Sequence, residues 1–397
     1  MSLSTRSGWR QSLITMQNAK NPSDNASVRY HRVVVKAGSG LLTGEVGRLD
    51  LELMETLVEQ ISRLHMQGAD VLLVTSGAVA AGRHVLDVQK GSKSLPDRQV
   101  LAAVGQGRLM HVYEQLFGKH DSTVAQALLS RRDLSDRLGY LNVRNTLMAL
   151  LERRVVPIIN ENDVVAVEEL AGDNFGDNDT LSAMCANLVD ADLLVLLGEI
   201  GGLYTKDPHV DPDARLIPVV ELPGDDIREI AGPSWDGKGR GGMTTKLDAA
   251  KLATASGVTV VIAGGREPEV LIKLAQGETI GTLFTAPGSK MESRKRWMLS
   301  GLSTRGEIQV DDGAVVALRD RNRSLLPPGV TDVVGTFNRG DIISIVDSRR
   351  VQAACGIANY SSADVNRIKG MRSDRIGKVL DQQFGEEVVH RNNMVVL

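Results

Sequence analysis

The sequence predicts an α/β fold: a mostly parallel sheet covered by helices on both faces. Three observations lead there. Aliphatic strand candidates alternate with helix candidates from residue 33 onward. Hydrophobic residues make up 42% of the 397 positions but aromatics only 3%, so the core is drawn from Val, Leu, Ile, Ala and Met, which suits strands buried between helical layers. Glycines and polar residues gather where the strand candidates end, the edge at which open α/β sheets bind ligands.

The first strand candidate, residues 33–35, exits into Lys36-Ala37-Gly38-Ser39-Gly40. A cation beside a side-chain-poor turn can hold phosphate, because glycines admit an anion to backbone N–H groups. A plain glycine turn accounts for the same residues. Leu49, Leu53, Leu57, Ile61 and Leu64 then follow helical spacing, and residues 71–74 form the next strand, completing a βαβ rhythm. Thr75-Ser76-Gly77-Ala78 follows, offering either the Ser76 hydroxyl to a ligand or a helix cap. Residues 155–159 lead into Asn160-Glu161-Asn162-Asp163, which reads as a polar cleft lining or as a solvated loop. Gly176-Asp177-Asn178-Asp179 crowds the start of a helix over 180–188, where capping is the plain alternative. A strand over 193–197 ends at Gly198-Glu199. The stretch 237–246, GKGRGGMTTK, is the strongest local feature: flexible amides, hydroxyls and Lys246 precede a helix over 246–255, with a strand at 258–262. Neither a P-loop nor a dinucleotide fingerprint is present, since GxxxxGK[ST] and a correctly placed GxGxxG are both missing.

Residues 1–30 read as a disordered tail, poor in acids and without the apolar segment of a secretory signal; an organelle transit peptide is the less favoured reading. The net charge of −3 gives no general attraction to nucleic acid or acidic membrane. Cys185 and Cys355 read as core thiols of a reducing compartment, and the expected location is cytoplasmic, with no membrane partner. His31, His65, His84, His111 and His120 are scattered and form no catalytic constellation.

Taken in order, VVKAGSG at 33–39, VTSGAVAAGR at 74–83, LAAVGQGRL at 101–109, INEND at 159–163, GDNDTLSA at 176–183, GLYTKDP at 202–208 and GGMTTKL at 241–247 resemble the glutamate 5-kinases of the amino-acid kinase family. The resemblance covers about residues 31–390 and separates this branch from the carbamate, aspartate and uridylate kinases. It implies a three-layer α/β/α sandwich around a mainly parallel eight-stranded sheet, ATP as donor with Mg²⁺ held mainly by the nucleotide phosphates, and L-glutamate as acceptor. The product would be L-glutamyl 5-phosphate, in the first step of proline biosynthesis. It also implies a homo-oligomer, proline as a feedback inhibitor and a glutamyl-phosphate reductase as partner. By the matching motifs, Lys36 and Lys246 would neutralise the β- and γ-phosphates and Asp179 would orient both lysines. Ser76, Asp163, Asp177 and Asn178 would surround glutamate. Lys36, Gly38, Ser39, Gly198, Glu199 and the run Arg240, Gly241, Gly242, Met243, Thr244, Thr245, Lys246 would line ATP. No resident metal ligand is implied.

The chemistry is self-consistent. A glutamate side chain with a reference pKa of about 4.3 is already an ionised nucleophile at neutral pH, so no general base is required. What is required is a set of cations and amides that lets one anion approach another. Three departures from the family pattern stand out. Gly40 replaces a usual hydroxyl residue, Gly198-Glu199 replaces a usual Thr-Asp pair, and the segment between Asp163 and Gly176 is a few residues longer.

A linker is expected at 289–302, between a catalytic domain at 31–288 and a β-rich unit at 303–390 resembling the PUA domain appended to some glutamate 5-kinases. PUA modules elsewhere bind RNA. Residues 305–397 carry 13 Lys and Arg against 12 Asp and Glu, too even a balance for strong phosphate-backbone affinity, so a structural or regulatory appendage is the preferred reading. The alternatives to an active kinase are a catalytically weakened amino-acid sensor and an RNA-binding protein acting through the C-terminal unit.

Overall fold

The computed structural model describes residues 29–44, 47–88, 94–166, 178–221, 242–286, 305–321 and 323–397. The expected linker at 289–302, most of the lengthened segment between Asp163 and Gly176, and most of the expected tail lie outside the described residues. The tail expectation ran two residues too far. Arg29 and Tyr30 belong to the fold, the Arg29 N–H donating to the Ala275 carbonyl at 2.9 Å and Tyr30 packing on the core.

Strand β1 (Arg32–Ala37) is buried from Val33 onward and sits at the centre of an eight-stranded sheet. After it come α1 (Ser39–Leu42), α2 (Leu51–Met66), β2 (Asp70–Val74), α3 (Ala78–Leu86), α4 (Leu95–Gly118), β3 (Val124–Leu129), α5 (Arg131–Ser135), α6 (Arg137–Glu152) and β4 (Val156–Glu161). The second half adds α7 (Asn178–Leu188), β5 (Leu193–Gly198), β6 (Val219–Val220), α8 (Met243–Ala255), β7 (Thr259–Gly264), α9 (Val270–Gln276) and β8 (Thr282–Phe284). The strand order is β3-β4-β2-β1-β5-β7-β8-β6, parallel throughout except for the β7–β8 pair.

Strand alternation builds the layers. Val33 and Val35 pack with residues of α2, α4 and α9, whereas Val34 packs with residues of α6, α7 and α8. Lys36 is in phase with Val34, so its side chain leaves the sheet toward α7 and α8. This parity decides where the charge goes.

Helix α2 forms as its spacing predicts: the Asp50 carboxylate accepts from the Leu53 N–H at 3.1 Å, and Leu53, Leu57, Ile61 and Leu64 form the buried stripe. The reading from sequence did not mark β3, α4 or α6. Helix α4 is 24 residues long despite containing Gly105 and Gly107, both poor helix formers. Gly105 is there for contact: a Cβ on it would lie 1.8 Å from the Ala78 carbonyl oxygen, and one on Gly82 would lie 1.9 Å from that of Leu101. The backbones of α3 and α4 therefore touch, which fixes the residue after Gly105 relative to the β2–α3 turn.

The C-terminal unit comprises β9 (Gly306–Val310), α10 (Asp312–Arg319), β10 (Val330–Gly335), β11 (Ile342–Val346), β12 (Gln352–Ile357), α11 (Ser362–Ile368), α12 (Ile376–Val379) and β13 (Met394–Val396). Its sheet order is β10-β9-β11-β12-β13, with only β9 and β11 parallel. The expected end at residue 390 is too short, because Met394 and Val395 are buried and β13 pairs with β12.

This sheet docks on α6. Leu141 packs with Ile342, Cys355, Ile357 and Val395, and Tyr140 closes the cluster. Arg144, 2% exposed, donates to Asn393 Oδ1 at 2.6 Å, to Asp190 Oδ2 at 2.6 Å and to the Asn392 carbonyl. Cys185 and Cys355 are both buried, and neither forms a disulfide among the described residues. No helix among the described residues is long and apolar enough to cross a membrane.

Candidate active site

The carboxyl ends of β1, β2, β4 and β5 bring the polar strand exits together with the N-termini of α7 and α8. At the centre is Asp179, fully buried in the first turn of α7. Its Oδ1 lies 2.7 Å from Lys36 Nζ and its Oδ2 lies 3.1 Å from Lys246 Nζ. Thr245 Oγ1 also donates to Oδ2, at 2.7 Å. Burial alone would raise the Asp179 pKa, but the charges of Lys246 and then Lys36 outweigh it and hold the carboxyl below its ordinary value. The aspartate stays ionised beside two ammonium groups, leaving a local charge of one cation in excess, suited to an anionic ligand. With its oxygens on the lysines, Asp179 is not acting as a helix cap.

Glycines keep both ammonium groups in place. A Cβ on Gly38 would stand 3.0 Å from Lys36 Nζ, and one on Gly198 would stand 3.4 Å from Lys246 Cε. Each lysine therefore passes over a position that carries no side chain. Ser39 opens α1, and Glu199 follows β5, its carboxylate reaching over the Gly40 turn. Helix α8 begins after Gly242 with no side-chain cap, three residues earlier than expected, and Met243, Thr244 and Thr245 form its first turn. Its leading N–H groups lack intrahelical partners. Asp177, Arg240 and Gly241 lie outside the described residues.

A second group of side chains adjoins this clamp. Asn178 Nδ2 donates to Ser76 Oγ at 2.9 Å and reaches Asn160 Oδ1 at 3.4 Å. Asn160 Nδ2 donates to Gln106 Oε1 at 2.8 Å. Neither Thr75 nor Ser76 caps α3: Gly77 occupies the cap position with a left-handed φ of 106°, and the Thr75 hydroxyl pairs with that of Tyr113 at 2.7 Å. Asn160 and Glu161 are not a solvated loop either. They extend β4 and are 3% and 6% exposed.

Asp163 lies just beyond β4 with no ion pair or hydrogen bond among the described residues, and burial pushes its pKa up to about 6. With a pKa of about 6 the carboxyl is still mostly ionised at neutral pH, and an arriving ammonium group would favour its ionised form further.

Gln106 and Asn160 were not among the predicted site residues. Gln106 sits inside the 101–109 motif, directly after the packing glycine of α4, and Asn160 is the first polar residue of its strand end. For Gln106 the available signal was its place inside the 101–109 motif, between two glycines.

The family model described as the amino acid kinase family matches residues 31–264, and the PUA domain model matches residues 306–380. A glutamate 5-kinase of Dehalococcoides mccartyi is 53% identical over 368 residues, covering 93% of this chain and 99% of the relative. A glutamate 5-kinase of Herpetosiphon aurantiacus is 48% identical, covering 92% and 98%. Among solved structures, a UMP kinase from Bacillus anthracis aligns with 65% of this chain and 97% of its own at 15% identity and a TM-score of 0.44, which adds nothing to the assignment. With near full-length matches at this identity, the chain belongs to the amino acid kinase family, in its glutamate 5-kinase branch, and carries a C-terminal PUA domain.

Proposed function

We infer that this chain transfers the γ-phosphoryl group of ATP to the side-chain carboxylate of L-glutamate, giving L-glutamyl 5-phosphate and ADP. The observation that carries the reading is the meeting of Lys36 and Lys246, from distant parts of the chain, on the two oxygens of one buried aspartate. Two fixed ammonium groups beside the uncapped start of α8 are suited to a triphosphate tail. The amide and hydroxyl cluster of Ser76, Asn160 and Asn178, with Asp163 near it in sequence, suits a zwitterionic amino acid.

In this reading the acceptor carboxylate attacks the γ-phosphorus in line. The P–O bond to the β,γ-bridging oxygen breaks, and that oxygen's electrons leave with ADP. Lys36 and Lys246 neutralise charge on the transferring group, Asp179 holds them in register, and Asp163 and Asn178 receive the α-ammonium group. A Mg²⁺ ion would be held mainly by the nucleotide phosphates and would neutralise part of their charge. Asp179 has its oxygens committed to lysines, so Glu199 is the carboxylate at the Gly40 turn suited to such an ion. An acyl phosphate hydrolyses or cyclises readily, which favours prompt reduction by a partner enzyme. Proline inhibition and self-association belong to the same reading.

Glutamate-dependent ADP release, with aspartate and carbamate as competing acceptors, tests the assignment. Turnover confined to glutamate supports it, and it also separates an active kinase from an amino-acid sensor or an RNA-binding protein. ADP release independent of glutamate, or preferred with another acceptor, refutes it.

A further inference from the structure

Among the described residues, two buried polar atoms in the amide cluster have no partner: Gln106 Nε2 and Asn178 Oδ1. Both ends of an amide look alike in shape, so the hydrogen-bond network must say which atom faces where. Here a backbone group says it. The Glu161 N–H donates to Asn160 Oδ1 at 2.9 Å, and a backbone N–H can only donate. Asn160 Oδ1 is therefore the acceptor end, and Nδ2 points toward Gln106. Gln106 must meet that donor with Oε1, which turns its own NH₂ group away. In the other direction, Asn178 meets Asn160 Oδ1 with Nδ2, which turns its carbonyl oxygen away.

One backbone N–H thus sets the polarity of two arms. One arm ends in a free donor on Gln106, the other in a free acceptor on Asn178. Buried amide atoms are costly to leave unpaired, so a ligand with a matching acceptor and donor is the physical complement. An α-amino acid offers both in its α-carboxylate and α-ammonium groups. The reacting side-chain carboxylate has to lie by the lysines, so the carboxylate left for Gln106 is the α one.

We propose that Gln106 is a specificity-determining residue that donates through Nε2 to the α-carboxylate of the acceptor, its orientation dictated by the Glu161 N–H through Asn160. The proposal rests on the glutamate kinase reading and adds a residue to it. Gly105, where α4 presses on α3, keeps Gln106 in position.

Gln106→Glu separates this role from a merely structural one. The carboxylate still accepts from Asn160 Nδ2, but the outward donor becomes an anion facing the substrate carboxylate. At saturating ATP, the KM for glutamate is expected to rise about 10- to 100-fold, the worth of one hydrogen bond to a charged group, while the KM for ATP holds. A wild-type KM for glutamate in Gln106→Glu would overturn the proposal. Gln106→Met is the second variant, read by kcat/KM for glutamate over its α-carboxamide, isoglutamine. That preference should shrink in Gln106→Met and shrink further or invert in Gln106→Glu. An unchanged preference in Gln106→Met overturns the proposal even if Gln106→Glu does not fold. Wild-type enzyme inactive with glutamate would instead remove the function reading itself.

Discussion

A side chain on residue 40 would begin 3.2 Å from Oε1 of Glu199, so Gly40 and Glu199 share one volume at the mouth of the phosphate turn. The two departures from the family pattern, a missing hydroxyl at 40 and a longer acid at 199, are therefore one arrangement: the extra methylene of the glutamate reaches the space that glycine leaves.

That coupling can be measured. Gly40→Ser alone crowds the Glu199 carboxylate, a clash worth about 1–2 kcal/mol. The KM for ATP should rise about 5- to 30-fold. Shortening the acid in the Gly40→Ser, Glu199→Asp double variant should recover most of the loss, since the two substitutions act on one contact. ATP saturation curves for the wild type, both single variants and the pair give the cycle. Additive effects would show that the residues do not share the site.

Replacing Lys246 or Lys36 by Met removes one of the two cations from Asp179 while keeping an apolar stem of similar length. Each variant should lose about 10²- to 10³-fold in kcat, the usual consequence of deleting one donor to developing charge. Their thermal midpoints should fall only modestly, because the other lysine still pairs the aspartate. Asp179→Asn behaves differently: two buried cations lose their counter-charge, so a stability loss of about 3–5 kcal/mol accompanies the loss of turnover. Denaturant titration alongside kinetics distinguishes the two classes. Near-normal kcat in Lys246→Met would remove that lysine from the chemistry.

The pH dependence of acceptor binding follows from Asp163. Its folded pKa is raised to about 6 against an ordinary 3.8, so between these values the free protein holds a proton that the unfolded chain has released. Stability from this group is therefore fully present below about pH 4 and lost as pH rises through about 6. Substrate binding runs the other way, since an α-ammonium group prefers the ionised carboxylate. The KM for glutamate should climb as pH falls below about 6, over a range where the substrate side chain is still largely ionised. In Asp163→Asn the KM should be higher and nearly flat over the same range. A wild-type KM that does not change between pH 5 and pH 7 would contradict the assignment.

How much of this was legible beforehand depended on whether the cause was local. The alternation of 33–36 already places Lys36 on the face opposite Val33 and Val35, and the motifs around 179 and 246 nominated the other two members of the clamp. What stayed hidden was tertiary. Gly82 and Gly105 look like flexible residues in a sequence, yet each exists because a carbonyl of the neighbouring helix would collide with a Cβ. Helix α4 was missed for the same reason, its glycines obscuring the periodicity, and with it went Gln106. The choice between cleft lining and solvated loop at 160–163 stays open in the sequence, because nothing local shows that β4 continues through Glu161 with both side chains buried. The elevated pKa of Asp163 is a desolvation effect, absent from any linear reading.

The C-terminal sheet is held to the kinase by α6, and Arg144 is the centre of that attachment. Its guanidinium is 2% exposed and joins Asp190 of the kinase domain to Asn392 and Asn393 of the C-terminal unit. Arg144→Met fills the apolar volume of the stem but leaves the Asn393 side-chain oxygen, which is buried, and the half-buried Asn392 carbonyl without that donor, at about 1–3 kcal/mol for a buried group. Asp190, whose side chain is 30% exposed, can return to water, so it adds less. The expected result is a loss of about 2–5 kcal/mol in denaturant unfolding. The KM values for glutamate and ATP should be unchanged in the folded fraction, because none of these groups contacts the lysine–aspartate clamp. Chain truncated before residue 305 should aggregate, because Tyr140 and Leu141 would lose the apolar cover of Ile342, Cys355, Ile357 and Val395. A monodisperse truncated protein with wild-type stability would show that the docked sheet contributes nothing to holding α6 in place.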